Sequence, residues 1–292
     1  MAAQARCVVV GTPIGHSLSP VLHRAAYAAL GLAWTYEPVD LDRGQLRDFV
    51  CSEAGRAVRG LSVTMPLKHE ALALAAEAGE VADTARAVGA ANTLVRLDRP
   101  GEAPAFRADN TDVPGAVAAL TAGGLAGTEQ TGGLAGADVV LVGAGGTAAA
   151  MVVALGRLGA ERIRVLARRP DVARDALASV AGAAGVVVAV DPLDEDAFGR
   201  PDLLVSATPA GALDRYADAA GAAAAVFDVL YDPWPTPLVA AARRQGARTV
   251  GGLDLLVHQA ARQVELMTGL EPAPVEAMAA AGERALAART SD

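Results

Sequence analysis

Residues 138–159, DVVLVGAGGTAAAMVVALGRLG, form the stretch that decides how the rest of the chain is interpreted. It joins a short apolar run to a glycine-rich turn, and the turn opens a helical run of small and apolar residues. Gly143, Gly145 and Ala148 match the Gly-x-Gly-x-x-Gly/Ala pattern of dinucleotide-binding strand–turn–helix units. In such units the second glycine lets a pyrophosphate approach the backbone, and the free N–H groups at the helix start face the anion. A glycine-rich turn that binds nothing is the alternative.

The strand that follows distinguishes NAD from NADP. An acidic residue at its end would accept hydrogen bonds from the ribose 2′-hydroxyl of NAD. Here the strand ends at Ala167 and two arginines follow, which favours NADP because a guanidinium group binds phosphate with a planar set of donors. Without the glycine turn before them, the arginines would be taken as a solvated turn. The residues predicted to bind NADP in this part of the chain are Gly143, Ala144, Gly145, Gly146, Thr147, Arg168 and Arg169.

Outward from this unit, short apolar runs alternate with longer helical patterns in both halves of the chain. Such alternation predicts parallel strands joined by crossover helices, and therefore an α/β fold. The predicted strands are Cys7–Val10, Thr35–Val39, Leu61–Val63, Val139–Val142, Ile163–Leu166, Val186–Val190, Leu203–Val205 and Val226–Val229. The predicted helices are Pro20–Leu30, Arg43–Glu53, Pro66–Ala78, Ala148–Leu158, Asp171–Val180, Leu253–Met267 and Pro274–Ala288.

The glycine-rich stretch Thr121–Gly136 separates the two series and is typical of a linker or loop that cannot pack a core. We therefore expect two domains with a cleft between them. Residues 1–115 form an N-terminal α/β domain that binds the substrate, completed by C-terminal helices within residues 253–292. Residues 116–252 form a Rossmann-like NADP-binding domain.

Composition argues against several other classes of function. The chain has 292 residues and a formal net charge of −8, with scattered lysines and arginines, so it offers no basic stripe for nucleic acid. The uncharged run Val139–Gly156 is interrupted by the glycine turn, which argues against a membrane span. Cys7, Cys51 and the four histidines lack metal-ligand spacing, so no metal site is predicted. Two isolated cysteines fit a reducing cytoplasm.

Four polar clusters lie at or near the ends of apolar runs in the first half, where ligands of α/β proteins usually bind. They are Gly11–His23, Gly60–Lys68, Gly89–Leu94 and Ala108–Gly115. In this order, the clusters resemble the substrate-binding signatures of the shikimate dehydrogenase family. The resemblance covers nearly the whole chain and continues in Ser206–Gly211, Asp228–Pro233, Thr236–Leu238 and Gly252–Ala260. It implies NADPH-dependent, reversible reduction of 3-dehydroshikimate to shikimate, by a monomer or homodimer.

The resemblance also implies roles for individual residues. Ser17 and Ser19 would hold the substrate carboxylate with hydroxyl donors, although Ser19 just before Pro20 is also typical of a helix cap. Lys68 would exchange the proton of the reacting oxygen. Asp112 would pair with Lys68 and favour its charged form. Without the resemblance, Lys68 would be interpreted as an ordinary solvated helix residue.

Further residues are implied around the substrate ring and the nicotinamide. Asn92, Thr64 and Gln259 would hydrogen-bond the ring hydroxyls. The alternatives are a turn-forming role for Asn92 and an ordinary polar helix position for Gln259. The residues implied near the nicotinamide are Tyr231, which would also lie near the substrate, and Thr208, Val229 and Gly252.

The chain departs from the family pattern at four positions, one of which is Arg169, where the family has Thr. Ser62 stands where the family often has Asn, and Arg24 follows His23 where Asn is common. Ala167 replaces an Asn and loses one possible side-chain contact to the adenosine phosphate. Three alternatives stay open: a quinate or aminoshikimate dehydrogenase, a folate dehydrogenase of similar fold, and a dinucleotide-binding regulatory protein without turnover. The presence of both Lys68 and Asp112 argues against the last.

Overall fold

The computed structural model describes residues 4–97, 104–126 and 133–289. The chain divides into two units, the first comprising residues 1–111 and 256–292 and the second residues 112–255. Each unit has its own six-stranded sheet with helices, and the predicted two-domain α/β class is confirmed. No helix within the described residues is both long enough and apolar enough to cross a membrane.

Strands and helices alternate along the chain. The strands are β1 (Arg6–Gly11), β2 (Thr35–Asp40), β3 (Val58–Val63), β4 (Glu80–Val81), β5 (Thr93–Leu97), β6 (Ala105–Asp109), β7 (Val139–Val142), β8 (Arg162–Ala167), β9 (Val187–Pro192), β10 (Leu203–Ser206), β11 (Ala225–Asp228) and β12 (Arg248–Val250). The helices are α1 (Ser19–Ala29), α2 (Leu46–Cys51), α3 (Glu53–Arg56), α4 (Lys68–Ala78), α5 (Asp83–Val88), α6 (Asp112–Ala122), α7 (Gly146–Arg157), α8 (Pro170–Ala184), α9 (Ala217–Ala220), α10 (Pro237–Arg244), α11 (Gly252–Thr268) and α12 (Val275–Arg289).

The first sheet has the order β2-β1-β3-β5-β6-β4 and is mixed. β1 pairs in parallel with β2 and β3, whereas β5 runs antiparallel to both β3 and β6. The three strands predicted in this half, β1, β2 and β3, are parallel as expected, whereas β5 and β6 are not among the predicted strands. The connection from Leu97 to Ala105 is too short to hold the crossover that a parallel pair needs, so β5 and β6 pair as a hairpin.

The centre of the first sheet is apolar on both faces. Val8 and Val10 on one face of β1 are fully buried, in a cluster that also contains Leu61, and Cys7 and Val9 on the other face are 0% and 3% exposed. Burial on both faces explains why β1 is an unbroken apolar run rather than an alternating one. Side chains that bind a polar ligand must therefore come mainly from the loops that leave the sheet.

The second sheet has the order β12-β11-β10-β7-β8-β9, and all its strands are parallel. From β7 the chain moves outward to β8 and β9, returns to β10 beside β7, and continues to β11 and β12 on the other side. The strand order therefore reverses between β7 and β10. The carboxyl ends of the strands at such a reversal are where open α/β sheets bind ligands, and the glycine turn leaves β7 at this point.

Two helices differ from the prediction in their bounds. The pattern predicts one helix over Arg43–Glu53, but the structure has the two short helices α2 and α3. The Ser52 hydroxyl caps the second of these by accepting a hydrogen bond from Gly55 N at 3.1 Å, which ends the first helix before it. The helix predicted from Pro66 begins at Lys68.

The predicted linker Thr121–Gly136 contributes to the core of the second unit. Leu125, Ala126 and Leu134 are 5%, 5% and 4% exposed. Leu134 N also donates to Leu158 O at 2.7 Å. The expectation that this stretch packs no core is therefore wrong for its described parts, because a few apolar side chains among the glycines are enough. Residues 127–132 of the predicted linker lie outside the described residues.

Candidate active site

One edge of the first sheet collects the loops that carry the predicted substrate residues. The carboxyl ends of β1 and β3 lie side by side there, with Val10 opposite Val63. Because β5 runs in the other direction, its first residue, Thr93, lies at the same edge, opposite Ser62 of β3 and Asp109 of β6. The loops after β1, β3 and β6 therefore converge with the residue that precedes β5.

Ser17 and Ser19 lie where the loop after β1 enters α1. Ser17 N donates to Ile14 O at 3.1 Å, and Ser19 N donates to the Ser17 hydroxyl at 3.3 Å. Ser19 is the first residue of α1, and no side-chain cap is observed at this helix start within the described structure. The capping alternative for Ser19 is therefore not supported. Ser17 is half-buried and Ser19 is buried.

A close approach of two loops positions Thr64 and Lys68. A β-carbon at Gly11 would lie 2.5 Å from Thr64 Cγ2 and 2.6 Å from Met65 O, so the loops can meet here only because position 11 is glycine. Thr12 N donates to Met65 O at 2.9 Å and ties the loop after β1 to the loop after β3. Lys68 then begins α4 as a half-buried residue.

Asn92 and Gln259 come together next to the start of α4. Lys68 O accepts from Ala91 N at 2.9 Å, which ties the helix start to the residue before Asn92. Asn92 is buried; its Oδ1 accepts from Thr111 N at 2.8 Å, and its Nδ2 donates to Thr111 Oγ1 at 3.0 Å. Gln259 of α11 is also buried, with Oε1 3.5 Å from Asn92 Nδ2. A turn-forming role for Asn92 or a surface position for Gln259 does not account for these side-chain contacts.

A buried hydrogen-bond network lies beside these residues and is absent from the sequence-based prediction. Gln263 Oε1 accepts from the Ser62 hydroxyl at 2.6 Å and lies 3.2 Å from His23 Nε2. Tyr36 donates its hydroxyl to Ser62 at 2.5 Å and stacks on the His23 ring, with centroids 3.9 Å apart. Burial lowers the pKa of His23 to about 3, so its imidazole is neutral near pH 7. The sequence does contain a signal for Gln263, since it follows Gln259 by four residues and shares its helix face.

The glycine turn after β7 has the geometry that the sequence predicts. Gly143 has φ +110°, and a β-carbon there would lie 2.6 Å from Ala207 O, so this position requires glycine. α7 begins at Gly146 without a side-chain cap, and a β-carbon at Gly145 or Gly146 would meet nothing within 4 Å. The helix start is therefore open, which fits a phosphate group. Ala148 is fully buried, as its predicted packing role requires.

The other predicted cofactor residues in this half of the sheet flank the turn. Ala144 and Thr147 are half-buried members of the turn and of the first turn of α7. Arg168 and Arg169 follow the end of β8 and are both exposed, immediately before α8 begins at Pro170. Because β7 and β8 are adjacent and parallel, the arginines and the glycine turn lie at the same edge of the sheet. This arrangement fits a dinucleotide that carries a 2′-phosphate.

Thr208, Val229 and Gly252 lie together on the other side of the strand reversal. The Thr208 hydroxyl is 3.3 Å from the Ser206 hydroxyl at the end of β10, and Val229 N donates to Ser206 O at 3.0 Å. Gly252 N donates to Leu230 O at 3.1 Å, and a β-carbon on Gly252 would lie 2.0 Å from Val229 O. Position 252 therefore requires glycine, and the three predicted residues share the carboxyl edge of the sheet.

A buried carboxylate anchors the loop that carries Tyr231. Asp228 Oδ2 accepts from the Thr236 hydroxyl at 2.7 Å, and Oδ1 accepts from Leu230 N at 3.3 Å. Thr236 also caps α10 by accepting from Val239 N at 3.2 Å. Burial raises the pKa of the Asp228 carboxyl. The loop is thus held at both ends, beside a pocket of about 120 Å³ that Asp228 and Thr236 line; the sequence-based prediction gives neither residue a role.

Lys68 and Asp112 belong to different units. Asp112 is buried at the start of α6 in the second unit, whereas Lys68 begins α4 in the first. Their pairing stays a prediction. Across the described ranges, no group of three or more His, Cys, Asp and Glu side chains is arranged to hold a metal ion.

Comparison with known protein families gives matches in both halves of the chain. Residues 9–94 match the family model described as the shikimate dehydrogenase substrate binding domain. Residues 252–281 match the model described as the shikimate 5′-dehydrogenase C-terminal domain. The first match spans the loops after β1 and β3, and the second contains both glutamines of α11.

Similarity to individual proteins extends over nearly the whole chain. A shikimate dehydrogenase (NADP(+)) from Methylobacterium radiotolerans is 39% identical over 276 residues, which cover 92% of this chain and 93% of that protein. The crystal structure of the Mycobacterium tuberculosis shikimate dehydrogenase is 41% identical with a TM-score of 0.82, covering 96% of this chain and 99% of that one. The Thermus thermophilus shikimate 5-dehydrogenase, in complex with NADP(H) and shikimate, is 31% identical with a TM-score of 0.78, covering 97% and 100%.

Proposed function

The chain belongs to the shikimate dehydrogenase family, and we propose that its first unit binds the substrate and its second unit binds NADP. Its reaction is the reversible, NADPH-dependent reduction of 3-dehydroshikimate to shikimate. NADPH, when bound, supplies the hydride to the ketone carbon, and the protein supplies a proton to the ketone oxygen. The observation that carries the assignment of residues is the convergence of the loops bearing Ser17, Thr64, Lys68 and Asn92 at one edge of the first sheet.

We assign the substrate carboxylate to Ser17 and Ser19. Both hydroxyls can donate to a carboxylate oxygen, and the N-terminal end of the α1 dipole, where Ser19 lies, favours a negative charge. Thr64, Asn92 and Gln259 are assigned to the ring hydroxyls. Their hydroxyl and amide groups suit this role because each can both donate and accept hydrogen bonds.

Lys68 is proposed to donate a proton to the carbonyl oxygen during reduction and to take it back during oxidation. The main chain of Lys68 is held at the start of α4, because its carbonyl accepts from Ala91 N at 2.9 Å, and this fixes the point from which the side chain extends. Asp112 is proposed to accept a hydrogen bond from this ammonium and so fix its direction.

NADP is proposed to lie along the carboxyl edge of the second sheet. Gly143, Ala144, Gly145, Gly146 and Thr147 would hold its pyrophosphate at the open start of α7. Its 2′-phosphate would bind Arg168 and Arg169. The residues proposed at the nicotinamide end are Thr208, Val229, Tyr231 and Gly252. Ala167 offers no side-chain donor, so the two arginines must supply the discrimination between NADP and NAD.

Initial rates measured by NADPH absorbance test the assignment directly. Shikimate and quinate are each offered with NADP and with NAD. We expect shikimate with NADP to be the best pair, and kcat/KM to fall roughly 10- to 100-fold with NAD, because charge-assisted bonds to the 2′-phosphate are lost. Faster oxidation of quinate would overturn the substrate assignment. Equal rates with NAD would overturn the assignment of the arginines.

We further propose that the protein acts in the cytoplasm on this small acid, as a monomer or homodimer, without nucleic acid or membrane. Two free cysteines, Cys7 and Cys51, fit a reducing compartment. Light scattering coupled to size-exclusion chromatography measures the oligomeric state, and a mass above that of a dimer would contradict the proposal.

A further inference from the structure

We propose that Gln263 is a positioning residue for substrate binding, because it holds Asn92 by two hydrogen-bond routes and so directs the donor edge of the Asn92 amide. The inference rests on the proposed function, in which Asn92 binds a ring hydroxyl of shikimate. Gln263 is 2% exposed and lies on α11, where its spacing from Gln259 puts both side chains on one helix face.

The orientation of the Gln263 amide follows from a partner that can only accept. Its Nε2 lies 3.1 Å from Asn92 O, a carbonyl oxygen without a proton, so this end of the amide must be the nitrogen. The other end is therefore the oxygen, and it accepts from the Ser62 hydroxyl at 2.6 Å. His23 Nε2 lies 3.2 Å from the same oxygen, so the neutral imidazole carries its proton on Nε2.

The second route from Gln263 to Asn92 passes through Thr93. Gln263 Nε2 donates to Thr93 Oγ1 at 3.0 Å, and the Thr93 hydroxyl donates its proton to Asn92 Oδ1 at 2.8 Å. Thr111 N donates to the same Oδ1 at 2.8 Å. These two donors match the two lone pairs of the oxygen, so the Thr111 hydroxyl, 3.2 Å from the same oxygen, directs its proton to Gln259 Oε1 at 3.3 Å. The Asn92 amide therefore turns its Nδ2 towards Thr111 Oγ1 and Gln259 Oε1, the side assigned to the substrate.

Burial makes this arrangement difficult to change. Gln263, Ser62, His23 and Thr93 are all buried, so a rotated amide would find no water to replace the bonds it breaks. Among the described residues, no buried side-chain nitrogen or oxygen lacks a partner. The Asn92 amide therefore presents its N–H edge, and not its oxygen, on the side assigned to the substrate.

The substitution Gln263→Glu tests the first link. It keeps the size of the side chain and the oxygen that faces Ser62 and His23, and it removes the donor that faces Asn92 and Thr93. We expect KM for shikimate to rise about 10-fold, with kcat changed by less than about threefold and KM for NADP unchanged. Gln45→Glu is the matched control, because it makes the same chemical change at an exposed position and should leave all three constants at their parent values.

Two substitutions of Thr93 test the second link without touching Gln263. Thr93→Val removes the hydroxyl at nearly constant shape and should raise KM for shikimate about 10-fold, whereas Thr93→Ser restores the hydroxyl and should return KM to within about twofold of the parent. The double variant Gln263→Glu/Thr93→Val should be no worse than about the larger single effect, because both changes interrupt the same route from Gln263 through Thr93 to Asn92. If Thr93 acted only through packing of its methyl group, Thr93→Val would leave KM for shikimate unchanged.

The results of these measurements decide whether Gln263 positions Asn92 for substrate binding. Unchanged KM for shikimate in folded Gln263→Glu and Thr93→Val overturns the inference, as does a parallel rise in KM for shikimate and NADP. If Gln263→Glu does not fold, the two Thr93 variants decide, because the second route passes through that hydroxyl. A parent chain that does not oxidise shikimate overturns the proposed function instead, so the two failures are distinguishable.

Discussion

Replacing Gly143 and Gly145 by alanine, one at a time, separates the contribution of the glycine turn to stability from its proposed role in binding NADP. Gly143 has φ +110°, a region that costs an L side chain about 1–3 kcal/mol. The added β-carbon would also lie 2.6 Å from Ala207 O, and the pairing of β7 with β10 resists the shift needed to relieve this contact. Overpacking of this kind costs about 1–3 kcal/mol. We therefore expect Gly143→Ala to lower the free energy of unfolding of the second unit by about 2–6 kcal/mol.

Gly145→Ala is the matched substitution, and we expect it to weaken NADP binding without lowering the free energy of unfolding. Gly145 has φ −84°, which alanine adopts without strain, and its β-carbon would meet nothing within 4 Å. The free energy of unfolding should stay the same or rise by up to about 1 kcal/mol, because alanine restricts the unfolded chain. The methyl group would nevertheless occupy the space proposed for the pyrophosphate. We expect KM for NADP to rise at least about 10-fold, with KM for shikimate unchanged.

Urea unfolding followed by tryptophan fluorescence measures the two effects separately. Trp34 belongs to the first unit and Trp234 to the second, so a Trp34→Phe background leaves a single reporter in the unit that carries both glycines. If Gly143→Ala unfolds at the same urea concentration as the parent, the close approach of Gly143 to Ala207 is absent. If Gly145→Ala binds NADP as the parent does, the pyrophosphate does not lie over this turn.

Three further outcomes are expected. Lys68→Ala should lower kcat by about 100-fold or more while shikimate binding stays measurable by calorimetry, and turnover at the parent rate would show that the proton donor lies elsewhere. Arg168→Ala and Arg169→Ala should each raise KM for NADP about 10-fold and leave KM for NAD unchanged, so equal effects on both cofactors would remove the arginines from the 2′-phosphate. Because burial lowers the pKa of His23 from 6.5 to about 3, the unfolded state takes up a proton first as pH falls. The contribution of neutral His23 to the free energy of unfolding is complete above about pH 6.5. It declines by up to about 1.4 kcal/mol per pH unit as the pH falls towards 3. His23→Asn should remove this pH dependence of the free energy of unfolding, measured in urea, whereas the exposed control His69→Asn should keep it. An equal pH dependence in the two variants would contradict the assignment.

The parts of the site that the sequence predicts are those that depend on local geometry. Gly143 and Gly145 occupy a turn whose shape is set by the few residues on either side, so the pattern and its structure coincide. Thr64 and Asn92 stand at strand ends and Ser17 in the loop after β1, and the meeting of such ends and loops at one edge follows from an α/β sheet. The family resemblance supplies their proposed roles, which local patterns alone do not.

The parts that sequence reasoning misses depend on contacts between distant residues. His23 and Gln263 are separated by 240 positions, and neither has a neighbour in sequence that predicts the other. The hairpin of β5 and β6 contains Arg96, Arg107 and Asp109, so its strands lack the apolar run that identifies β1. The glycine-rich composition of this stretch does not predict the burial of Leu125 and Leu134. Composition is an average over the stretch, whereas packing depends on single side chains.

The split of the first unit between residues 1–111 and 256–292 has a consequence for biosynthesis. The strands of its sheet leave the ribosome long before α11 and α12, and α12 packs against α1 near the other end of the polypeptide. During translation Asn92 is therefore made without Gln259 or Gln263, while the continuous second unit is already complete. A nascent chain stalled just after Leu255 would contain every residue proposed to bind the dinucleotide but would lack Gln259 and Gln263, so recognition of the acid depends on the part of α11 that follows.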